Sequence, residues 1–94
     1  MVLYELLNTK NHSIETRETI RYKDAINMIN FIKKSNYFKV DNVQVFNPYT
    51  KNIIIIRMSG NCDVKLKFTH KQYMKTIDLL VELNNNNPIE VIWY

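Results

Sequence analysis

Ninety-four residues, 46% hydrophobic and 12% aromatic, describe a single small folded domain over residues 1–94 and exclude a disordered chain. A formal net charge of +4 is mildly basic; it permits nucleic acid or an acidic protein as partner and requires neither. The longest unbroken apolar run is four isoleucines, far short of a membrane span, so no membrane partner is expected.

The stretch "MVLYELLN" reads as a first strand, with Val2, Tyr4 and Leu6 on one face and Leu3, Glu5 and Leu7 on the other. After a turn at "TKNH", "SIETRETIRY" alternates again. Ile14, Thr16, Glu18, Ile20 and Tyr22 share one side; Glu15, Arg17, Thr19 and Arg21 share the other. The period then changes. Ala25, Met28, Ile29 and Ile32 form the stripe of an amphipathic helix over about residues 23–36, with Asp24 and Lys33–Lys34 matching its dipole.

"KVDNVQVF", "IIIIRM" and "VKLKF" read as three strands joined by turns at Pro48 and at Gly60, the only glycine. "THKQ" reads as a capping box from Thr69 to Gln72. It opens a helix that ends near residue 84, with Tyr73, Ile77, Leu80 and Val81 as its stripe and Met74 and Leu83 beside it. "NNNNP" breaks the chain before a last strand, "IEVIWY". The expected class is therefore α+β: an antiparallel sheet in the order β-β-α-β-β-β-α-β, with both helices on one face. Dropping two strands leaves β-α-β-β-α-β, so a ferredoxin-like arrangement with extra strands is one form the order admits.

The isoleucine strand raises a question, because both of its faces are apolar. Pairing Phe46 with Ile53, and Met58 with Val64, places Ile54 and Ile56 in the core with Val43, Val45, Val64, Leu66 and Phe68. The outer face then carries Phe46, Ile53 and Ile55 flanked by Arg57, Lys65 and Lys67. These six are the candidate partner-binding residues, since contiguous exposed apolar area marks contact sites. Four occupants of that face are considered. They are the N-terminal strand or the Trp93–Tyr94 tail of the same chain, a second copy, another protein, and nucleic acid.

Chemistry is sparse. Cys62 is the one cysteine and sits in a turn, with His12 and His70 far off in sequence, so no nucleophile–base pair is legible. No metal-ligand spacing or glycine-rich phosphate loop occurs, and no cofactor is expected. The lone cysteine and an N-terminus unlike a signal peptide indicate a cytoplasmic setting. The chain holds 13 Asn, 12 Ile, 10 Lys and 6 Tyr, all with A/T-rich codons, which points to an A/T-rich genome such as a low-GC bacterium, its phages or plasmids, or an A/T-rich virus or protist. The expected function is a non-catalytic protein that binds a host protein and inhibits or redirects it, with homodimerisation as one mode. The alternative is a nucleic-acid-binding regulator using Phe46, Tyr94, Lys65 and Lys67.

Overall fold

The computed structural model of the protein describes residues 1–93. Its elements run β1 (Val2–Asn8), β2 (Ser13–Ile20), α1 (Tyr22–Lys34), β3 (Val40–Phe46), β4 (Ile53–Met58), β5 (Cys62–Lys67), α2 (His70–Leu83) and β6 (Glu90–Ile92). This is the expected α+β class and element order. The six strands form one sheet in the order β2-β1-β5-β4-β3-β6. Neighbours are antiparallel except β3 and β6, which run parallel, so the sheet is mixed.

The strand order departs from a ferredoxin-like interleaving. That arrangement splits each β-α-β unit with a single strand. Here β1, β5 and β4 lie between β2 and β3, and β4 and β3 lie between β5 and β6. The first two strands extend the meander on one side and β6 extends it on the other. Neither β1 nor the residues around Trp93 cover the outer face; Tyr94 lies outside the described residues.

Both helices pack on one face. Ala25, Ile29 and Ile32 of α1 and Tyr73, Leu80 and Leu83 of α2 join Val43, Val45, Ile54, Ile56, Val64 and Leu66 in one buried cluster. Fully burying Ile54 and Ile56 contributes about 1.5–3 kcal/mol each. The stripe of α2 is rotated from the expected one. Thr76 is buried and Ile77 and Val81 are half-buried. The Thr76 hydroxyl explains this, since it donates to the Gln72 carbonyl at 2.6 Å and bonds the Tyr22 hydroxyl at 2.7 Å. That contact locks α2 to the start of α1. At the start of α2, Thr69 Oγ1 accepts from the Gln72 N–H at 3.1 Å and Gln72 Oε1 accepts from the Thr69 N–H at 2.9 Å, closing the expected capping box.

Two registers differ from expectation. Met58 pairs with Cys62, and Val64 pairs with Ile56. The offset is two residues, so every side chain keeps its expected face. In β2 a bulge opposite Leu6 and Leu7 skips Glu15, so Ile14 pairs with Leu7 and turns to the outer face, away from Thr16 and Glu18.

Turns in this glycine-poor chain rest on asparagine. Asn47, Asn52, Asn61, Asn85 and Asn86 all have positive φ, between 45° and 61°. Asparagine tolerates that left-handed region better than any residue but glycine. Gly60 at φ 86° precedes Asn61 in the β4–β5 turn, and a side chain there would strain the backbone rather than meet a neighbour.

Asn84 does more than turn the chain. It is buried at the end of α2. Its Oδ1 accepts from the Val43 N–H at 3.1 Å, and its Nδ2 donates to the Asn87 and Pro88 carbonyls at 3.2 and 3.0 Å. One amide thus ties α2 to β3 and to the segment that delivers β6. Replacing it with alanine orphans a buried backbone donor. Asn84→Ala is expected to lower stability by about 2–3 kcal/mol, read as a lower urea midpoint at unchanged m-value.

Candidate functional site

Among the described residues no helix lies over the outer face of the sheet, since both helices pack on the inner one. Three cross-strand rows run over it. Leu3, Lys67, Ile53, Phe46 and Ile92 make one; Arg17, Glu5, Lys65, Ile55, Gln44 and Glu90 make the second; Leu7, Asp63, Arg57 and Asn42 make the third. The six expected residues are brought to this face, and Ile53, Ile55, Lys65, Lys67 and Arg57 stand together on β4 and β5.

The face is not the bare stripe that alternation suggested. Phe46 is only 9% exposed, and Ile53 and Ile55 are half-buried. Together with Lys51 and Lys65 they line a shallow depression of about 110 Å³. The stems of long charged side chains lie along the isoleucines and shield part of their area.

Carboxylates that sequence reading passed over hold most of the cations. Glu5 is 7% exposed at its side chain; Arg17 meets it at 3.1 Å and Lys65 at 3.8 Å. Arg57 meets Asp63 at 3.2 Å, and its Nε donates to Gln44 Oε1 at 2.6 Å. Gln44 Nε2 in turn donates to Glu90. A polar chain therefore runs from β5 across β4 and β3 to β6. Lys67 is exposed and forms no ion pair with a described residue. The signal for these pairs is the cross-strand register, which places Arg57 opposite Asp63 and Lys65 opposite Glu5. For Lys65 it cannot be read before β1 is placed against β5; for Arg57 it follows from the β4–β5 hairpin once its register is set two residues from the expected one. Burial pushes the Asp63 carboxyl above its ordinary range, and Arg57 opposes that shift.

Two of the hollows elsewhere hold side chains with reactive or titratable groups. One, of about 240 Å³, opens between α1 and the inner face, with Tyr4, Phe31, Phe38 and Cys62 in its wall. Burial, then Asp63 and Glu15, raise the Cys62 thiol pKa, so its environment disfavours the thiolate that nucleophilic chemistry needs. The other, of about 300 Å³, lies beside β6 and α2 and holds Tyr49, His70, Tyr73 and Trp93. His70 Nδ1–H donates to the Pro48 carbonyl at 3.0 Å. Among the described residues no three His, Cys, Asp or Glu side chains group to hold a metal ion, and no helix is long and apolar enough to cross a membrane.

No protein-family model matches the chain, and neither a curated protein nor a solved structure matches it.

The raised pKa of Asp63 fixes the sign of a pH effect. The folded state binds its proton more tightly than the unfolded state, so this carboxyl's contribution falls as pH rises from the ordinary carboxylate range through the folded pKa. Asp63→Asn removes that slope. Urea midpoints measured across acid pH are expected to show the wild type gaining on the variant as pH falls through this window.

Proposed function

We propose that this protein is a small non-catalytic binding protein that docks onto another protein through the open face of its sheet. The observation that carries this reading is the depression floored by Phe46, Ile53 and Ile55 on the outer face, with Lys51 and Lys65 at its rim. An apolar centre with a polar rim is the usual anatomy of a protein contact. Arg17, Arg57 and Lys65 already have carboxylate partners, so the face offers little uncompensated charge. That supports a protein over nucleic acid, because phosphate contact draws on cations free to displace counterions. The nucleic-acid alternative also relied on stacking by Phe46, which is nearly buried.

The A/T-coded composition supports a phage or mobile-element gene, and with it a host protein as the target that is inhibited or redirected. The lone cysteine supports a reducing cytoplasm. A second copy is the competing occupant of the face.

The test is affinity capture from nuclease-treated lysate of a low-GC bacterium at two salt concentrations, with wild type beside the double variant Ile53→Thr, Ile55→Thr. Threonine keeps the β-branch that suits a strand and removes apolar area. The expected result is one protein held at high salt by the wild type and bound about tenfold more weakly by the variant, or about 1.4 kcal/mol. Equal capture by both, or material lost on nuclease treatment, would sink the reading. Sedimentation velocity on the purified chains identifies the second copy as occupant if a wild-type dimer becomes a monomer in the variant.

A further inference from the structure

β6 is an edge strand, paired with β3 on one side and open on the other. In an extended strand the N–H and C=O of one residue point to the same side and alternate along the chain. The Ile92 carbonyl accepts from the Asn47 N–H at 2.9 Å, so Ile92 turns its polar groups toward β3. Val91, one residue back, therefore turns its own N–H and C=O to the open edge. An open edge is a template for an added strand.

The Val91 side chain points the other way from the outer face, into the groove of about 300 Å³ between β6 and α2. Tyr49 and Trp93 stack across its mouth at 5.8 Å with planes 19° apart, yet remain 74% and 57% exposed. Met74 on α2 is 53% exposed beside them. Large side chains left in water around one groove mark a contact site, and Trp and Tyr are common anchors of such sites. The hydrogen bond from His70 to Pro48 holds the loop that carries Tyr49 against α2.

Charge gives the groove a direction. The first turn of α2 has no acidic residue of its own to offset the positive end of its dipole. Lys71 lies three residues before Met74 on the helix surface, and Asp78 four residues after it, so the rim runs from basic to acidic.

We propose that this groove binds an extended peptide of a partner protein. Its backbone pairs with the open edge at Val91, one aromatic or branched apolar side chain enters between Trp93 and Met74, and acidic residues lie toward Lys71. Strand addition of this kind takes affinity from main-chain hydrogen bonds and specificity from the side-chain pocket. The open edge favours a peptide over single-stranded nucleic acid, since it offers backbone hydrogen bonds that bases stacked on Trp93 would leave unused. The site is separate from the outer face and stands or falls without it.

The experiment is selection of short random peptides on the purified full chain, followed by titration of a synthesised winner against the fluorescence of Trp93, the single tryptophan. The expected winners carry an apolar residue with Asp or Glu on one side only. Lys71→Glu is expected to weaken acidic-flanked peptides at least about tenfold and to favour a lysine-flanked version, an inversion that misfolding cannot produce. Val91→Pro deletes the edge donor without removing a ladder bond and should abolish binding with the thermal transition kept. If that variant unfolds, the inversion by Lys71→Glu decides alone. No enriched peptide, indifference of binding to Lys71→Glu, or a Trp93 response to oligothymidylate that competes with the peptide would overturn the proposal.

Discussion

Ile54 and Ile56 are fully buried at the centre of the sheet, and the face they choose constrains every strand beside them. With those two inward, Ile53 and Ile55 must point outward, and the meander carries the same parity to β3 and β5. β1 then pairs with β5 so that Val2, Tyr4 and Leu6 meet the helix side and Leu3, Glu5 and Leu7 meet the outer side. A slip of one residue in β4 would bring Arg57 toward the core. The asparagines at positive φ guard against that slip by setting the lengths of the turns on both sides of β4.

The same parity creates the problem of the outer face. A strand apolar on both faces suits a sheet covered on both faces, whereas this sheet is covered on one. The chain meets the problem partly with charge. Glu5 and Asp63 are nearly buried on the outer face, where each is held by cations on neighbouring strands. Such pairs add little stability by themselves once desolvation is counted. Their consequence is geometric, because they hold the aliphatic stems of Arg57 and Lys65 beside the isoleucines. The result is a face with an apolar depression at Phe46, Ile53 and Ile55 beside charges that are mostly paired.

The helix side and the open edge complete the division of labour. Thr76 and Asn84, both polar and both buried, fix where α2 lies and how β6 is delivered. Because β6 joins in parallel after a short asparagine-rich turn, it leaves its far edge unpaired beside the start of α2. The exposed aromatics gather at that junction. Exposed apolar surface thus gathers where the architecture runs out of layers, on the outer face and at the last strand.

Local chemistry determined much of this protein. The strands and helices follow from period two and period 3.6, α2 begins at a capping box written in four consecutive residues, and the core side of the meander follows from two hairpins whose turns are short. The six residues expected on the outer face are there for the same reason. What the sequence could not settle is what depends on segments distant along the chain. Strand order, the parallel placement of β6 and the contact of Lys65 with Glu5 exist only once β1 lies against β5 and β6 against β3. Neither pairing is set by a turn. Each is chosen by burial and register between segments far apart in the chain, so the burial of Phe46 beside Ile92 and the hold of Glu5 on Lys65 were decided by tertiary structure alone.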